Sequence, residues 1–114
     1  MKIKQRDTDG VAVLEVSGEM YGGPENMELV KSVEQLAADG KLNCIINCKK
    51  VKWISSTGLG ILVNARNTYA KAGGTMHLCS LNERVLTLFQ VTKMSLLMHV
   101  HGSEDEARAA FQNQ

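Results

Sequence analysis

The sequence predicts one α/β domain with a mixed sheet, and three features carry that prediction. Short apolar runs with a period of two take turns along the chain with runs at helical spacing. A strong hairpin signal, Asp9-Gly10, joins the first two strand candidates. After it, strand, helix and strand follow one another in series, the pattern of crossover units with parallel pairing. At 114 residues the chain has the length of one domain and enough material for a core.

Lys2 to Arg6 reads as a short polar strand at a sheet edge. Beyond the hairpin, Val11, Val13 and Glu15 share one face, and Ala12, Leu14 and Val16 the other. This marks a buried strand ending near Ser17-Gly18. Gly22-Gly23-Pro24 breaks the chain, and Pro24 suits the first position of a helix. Glu25 and Glu28 then fall in the first turn, where the helix dipole favours them. Leu29, Val30, Val33, Leu36 and Ala37 recur at helical spacing until Asp39-Gly40, with Gly40 as a left-handed cap.

Cys44 to Cys48 is a short apolar run suited to a central strand. Trp53 to Gly60 leads into a helix that reaches about Ala72 and is capped by Gly73-Gly74. Thr75 to Leu78 is the next strand. Asn82 caps a short helix carrying Val85, Leu86 and Phe89. Leu96 to Val100 is the last strand. Ser103 and Glu106 form a capping box for a final helix. The expected order is β-β-α-β-α-β-α-β-α, an α/β layer fold with four to five strands.

Composition narrows the function classes. Hydrophobic residues make up 44% and charged residues 22%, an ordinary globular balance. A net charge of +1 is a weak field for a nucleic-acid binder. No apolar run approaches the ~18 residues of a membrane span, so no membrane insertion is expected. The first residues, Met1 to Asp7, have no apolar signal core. Three cysteines leave one unpaired, and the cytoplasm is the expected location.

The candidates for chemistry fall away one by one. Cys44 and Cys48, four apart on a strand, are separated by ~13 Å. That exceeds the ~7 Å limit for a disulfide and prevents shared metal ligation. They read as core residues. His99 and His101 form an H-x-H pair whose only possible histidine partner is His77, and they read as a half-exposed strand end. There is no phosphate loop, no GxGxxG and no activated serine elbow. No catalysis, cofactor or metal is expected.

Ser55-Ser56-Thr57 is different. Capping a helix needs one hydroxyl, and here three precede a helix. A phosphate placed there meets free N–H groups and the positive end of the dipole. Between Asp39 and Glu83 there is no acidic residue, whereas Lys41, Lys49, Lys50, Lys52, Arg66 and Lys71 all fall in that stretch. They would surround the hydroxyls with positive charge and attract an acidic partner or the phosphates of ATP. If the strand continues that far, alternation puts Lys50 and Lys52 on one side and Lys49 opposite. The following helix has two apolar stripes. Leu59, Leu62, Val63 and Ala70, flanked by Tyr69, form one; Gly58, Ile61 and Ala65 form the other, a candidate docking patch unless a neighbouring helix covers it.

Several stretches together resemble the STAS domain family of anti-sigma factor antagonists. Val13-Leu14-Glu15-Val16-Ser17-Gly18-Glu19-Met20 resembles the family's strand followed by G-E-L-D. Cys44-Ile45-Ile46-Asn47 resembles its central strand, and Ile54-Ser55-Ser56-Thr57-Gly58-Leu59-Gly60 its D-S-S-G-L-G signature. Gly73-Gly74 and Val85 to Thr92 resemble its closing pattern. Ser55 and Tyr21 stand where the family has aspartates.

The resemblance implies a non-enzymatic switch. The unmodified protein would bind an anti-sigma factor that is also a serine kinase. The kinase, using ATP, would phosphorylate Ser56, with Ser55 as the alternative acceptor. A serine phosphatase would reverse the modification. The expected binding surface comprises Ser55, Thr57, Gly58 and Ile61, with Lys50 and Lys52 added from the charge pattern of the sequence and not from the resemblance. The alternative within the family is a constitutive interaction subunit of a lipid-transport or transporter-regulating complex, never phosphorylated.

Overall fold

The computed structural model describes residues 1–112. Strand β1 (Lys2–Thr8) and strand β2 (Val11–Met20) form an antiparallel hairpin. Asp9 and Gly10 both take positive φ, 51° and 79°, which gives the turn a twist that matches its strands. Strands β3 (Asn43–Ile54), β4 (Thr75–Cys79) and β5 (His99–His101) follow in parallel, so the sheet order is β1-β2-β3-β4-β5. Helices α1 (Met27–Ala38), α2 (Ser56–Lys71) and α3 (Glu83–Val91) lie in the three crossovers, and α4 (Glu104–Gln112) closes the chain. The mixed α/β architecture and the element order are those read from the sequence.

The alternation in β2 sorts two cores. Ala12, Leu14 and Val16 face the larger one, with Leu29, Val33 and Leu36 of α1, Leu62 and Ala65 of α2, and Phe89 of α3. Val11 and Val13 face the smaller one, with Ile45, Cys79 and, from α4, Ala107 and Phe111. Cys44, Ile45, Ile46 and Cys48 of the central strand are all buried. The three cysteines are free, and burial pushes the Cys44 and Cys48 thiols up to about 12.

Several boundaries differ from expectation. Helix α1 starts at Met27, not Pro24. Gly23 has a φ of 129°, and Pro24 to Asn26 form turns closed by short i to i+3 bonds. The buried Asn26 side chain accepts the Gly22 N–H, which holds the preceding loop and delays the helix. Only Glu28 is therefore in the first turn. The last strand is His99–His101 and not Leu96–Val100, because Met94–Leu96 forms a 3-10 turn behind a left-handed Lys93. Met94 and Met98 plug the larger core from that turn. Strand β3 runs on to Ile54, well past Cys48. Among the described residues, no helix is long and apolar enough to cross a membrane.

Candidate functional site

The hydroxyl cluster sits at the carboxyl edge of the parallel strands, a usual place for sites in open α/β sheets. Ser55 is the N-cap of α2, in extended conformation. Its Oγ accepts a hydrogen bond from the Gly58 N–H at 3.1 Å and donates one to the Met20 carbonyl at 3.3 Å. Its own N–H also reaches that carbonyl, at 2.8 Å. Ser55 therefore fastens α2 to the end of β2. The next residue is in the opposite situation. Ser56 is exposed, and no hydrogen bond engages its hydroxyl among the described residues. Thr57 is exposed beside it.

Two glycines permit this ledge. A Cβ on Gly58 would lie 2.2 Å from the Met20 carbonyl oxygen, so only glycine lets the helix come this close to β2. A Cβ on Gly22, where φ is 81°, would lie 2.2 Å from the Thr57 methyl, so the loop after β2 packs directly on the first turn of α2. Around the ledge stand groups that the sequence did not bring together. Arg84 lies over the Trp53 ring at 4.6 Å. Asn82 donates to the carbonyls of Val51 and Lys52, tying the start of α3 to the end of β3. Tyr21 is 56% exposed, and its hydrogen bond to Glu19 pushes its phenol up. The contacts of Arg84 and Asn82 join the start of α3 to the end of β3, about 30 residues away along the chain, which no local pattern announces.

The expected docking stripe on α2 is not open. Gly58 is buried against the ends of β2 and β3, Ala65 is buried in the larger core, and Ile61 is half-exposed. Gly58 shapes the surface without presenting a side chain to it. The surface that remains is Ser56, Thr57 and part of Ile61.

The positive charges are also dispersed. Lys41 pairs with Asp7 at 2.7 Å near the hairpin turn. Lys71 is at the far end of a 16-residue helix, ~22 Å from Ser56. The expected ring of six cations around the hydroxyls does not form. The alternation expected for the lysines of β3 fails as well. Glu15 pairs with Asn47 but Ser17 with Lys50, so β3 carries one extra residue there. Cys48 and Val51 both face the larger core, and the bulge between them puts Lys49 and Lys50 together on the opposite face. Lys52 stands closer to the ledge, two residues before Ile54.

The histidines come together on the α4 side. Parallel pairing sets His77 beside His99, and Cys79 beside His101. His77 Nδ1 and His101 Nε2 are 2.9 Å apart, and the rings of His99 and Phe111 each lie 4.5 Å from that of His77. His99 is exposed and His101 half-buried, as a strand end should be. Burial and the two neighbouring histidines hold His77 down to about 4.

A five-stranded mixed sheet with this hydroxyl ledge at the head of α2 defines a known class of domain. The STAS domain family model matches residues 2–107, and the chain belongs to that family. Among curated relatives, an anti-sigma-B factor antagonist of Listeria monocytogenes is 31% identical over 108 residues, covering 93% of this chain and 91% of that one. An anti-sigma-B factor antagonist of Staphylococcus aureus is 28% identical over 109 residues, covering 93% and 98%. Solved structures share the fold. An anti-sigma factor antagonist from Mycobacterium paratuberculosis superposes with a TM-score of 0.79 at 23% identity, covering 96% of this chain and 92% of that one. The Bacillus cell fate determinant SpoIIAA, in its phosphorylated form, superposes with a TM-score of 0.70 at 16% identity, covering 96% and 99%.

Proposed function

We propose that this chain is an anti-sigma factor antagonist that is switched by phosphorylation of Ser56. The observation that carries the reading is the division of labour between two adjacent serines. Ser55 is consumed as cap and fastener, whereas Ser56 stands exposed, its hydroxyl unbonded among the described residues, on a ledge fixed by Gly58 and Gly22. A kinase needs an accessible hydroxyl, and Ser56 offers one without unfolding its surroundings. This favours Ser56 over Ser55 as the acceptor.

The partner is an anti-sigma factor that is itself a serine kinase and supplies the ATP. It docks on Ser56, Thr57 and the exposed edge of Ile61, with Lys52 at the rim. A phosphate on Ser56 meets the free N–H groups of the first turn of α2, so this domain tolerates it. The change therefore falls on the partner, which must desolvate a dianion within its interface or meet it with its own carboxylates. A phosphatase returns the chain to its binding state.

The test is titration of the anti-sigma factor encoded in the same genome with wild type and Ser56→Asp. Loss of at least about tenfold in affinity, ~1.4 kcal/mol, is the expected result. Unchanged affinity would replace the switch with constitutive binding.

A further inference from the structure

The two faces of the sheet are not equally covered. Helix α4 lies over Val11, Val13, Ile45 and Cys79, the half of its face that holds the amino-terminal halves of β2 and β3. The other half of that face is bare, although parallel strands are usually covered on both sides. It forms a groove of about 270 Å³. Lys2 and Lys4 of β1 line one side, Lys49 and Lys50 of β3 the other, and Glu15 and Ser17 of β2 lie between them.

We propose that this groove docks an acidic helix of a partner protein, at a surface separate from the serine ledge. The two lysine rails are two strand spacings apart, ~10 Å. That is about the width of a helix with its side chains. Among the described residues, Glu15 is the one carboxylate lining the groove, and it is already paired with Arg6 at 3.0 Å.

The molecule holds its own precedent for the contact. At the start of α4, Glu104 reaches Arg6 at 2.6 Å and accepts from the Asn47 amide at 3.0 Å. This face thus already grips a carboxylate presented by a helix. A partner helix in the groove would lie beside α4 and complete the cover. A nucleic acid fits less well, since no aromatic side chain lines the groove to stack on a base and Glu15 lies on its floor. The bulge in β3 is what completes the second rail, because strict alternation from Cys48 would turn Lys50 toward the larger core.

The experiment uses the full chain, ¹⁵N-labelled, at low salt. Its probe is a synthetic alanine-based helix with glutamates at i, i+3, i+4 and i+7, so that they share one face. Saturable shifts are expected at the amides of Lys4, Ser17, Asn47, Lys49 and Lys50. Lys2→Glu/Lys49→Glu should weaken binding by about fivefold or more, since charges of this kind govern encounter and register. Lys2→Gln/Lys49→Gln serves the same purpose if the reversal unfolds the chain, and should weaken binding by about threefold. Ser56→Asp should leave the affinity within about twofold, because the two surfaces are separate; a larger loss would overturn that separation. Absence of saturable shifts overturns the proposal. So does equal affinity for a peptide of the same composition with its glutamates spread around the helix. Tighter binding of a short single-stranded oligonucleotide at the same amides would overturn the choice of partner.

Discussion

The face of the sheet under α1, α2 and α3 differs from the face under α4 in what it buries. The first holds a continuous apolar core in which Leu29, Val33, Leu36, Leu62 and Phe89 are almost fully excluded from water. The second holds the histidine trio, the Arg6–Glu104 pair and the lysine groove around a small apolar patch. The first face secures the fold. The second has charge and exposed surface to spare for pH response and docking. The serine ledge rises at the carboxyl edge, anchored to the apolar side through Gly58 and facing solvent through Ser56.

This contrast can be broken most severely by a cavity on the apolar side. Leu62→Ala should destabilise the domain by about 3–5 kcal/mol, measured by urea unfolding. A value under about 1 kcal/mol would mean that this face is not the structural one.

The α4 side should respond instead to pH. His77 is held at about 4 in the folded chain, against an ordinary value of 6.5. The unfolded state therefore binds more protons between these values, and stability falls as pH drops through that window. Between pH 7 and pH 5 the loss should be about 2 kcal/mol. His77→Gln should remove most of that slope. Glu104, held below its ordinary 4.5 by its hydrogen bond to Arg6, begins to cost stability only as pH falls toward and below that value, so the loss between pH 7 and pH 5 belongs chiefly to His77.

Much of this arrangement was legible in the sequence, and the omissions share a cause. Strand and helix periodicities, the Asp9-Gly10 turn and the caps at Asn82 and Ser103 are local signals, and each has a counterpart in the structure. The late start of α1 depends on Asn26 reaching back to Gly22, and the short β5 on Met94 and Met98 entering the core. The bulge in β3 is a matter of register against β2, and the histidine trio needs β4 and β5 to pair. The acid-free stretch was real in the sequence, yet the fold sent Lys41 and Lys71 away from the hydroxyls. At the ledge, Ser55 and Ser56 look alike in sequence and differ only in what their hydroxyls touch.

Smaller effects sharpen that last difference. Ser55→Ala should cost about 1 kcal/mol, because the Gly58 N–H loses its acceptor and α2 keeps only the backbone tie to Met20. Ser56→Ala should shift stability by less than about 0.5 kcal/mol, as expected of an exposed side chain without a partner. Thermal unfolding of the two variants side by side would settle their order.

The central claim is that Ser56 carries the signal and Ser55 carries the structure. Incubation of the chain with ATP and the serine-kinase anti-sigma factor of its own genome, followed by site-resolved mass spectrometry, tests it most directly. The account predicts a gain of about 80 Da on Ser56, the mass of one phosphate, retained in Ser55→Asn and lost in Ser56→Ala. Phosphate on Ser55, or none on the wild-type chain, would contradict it.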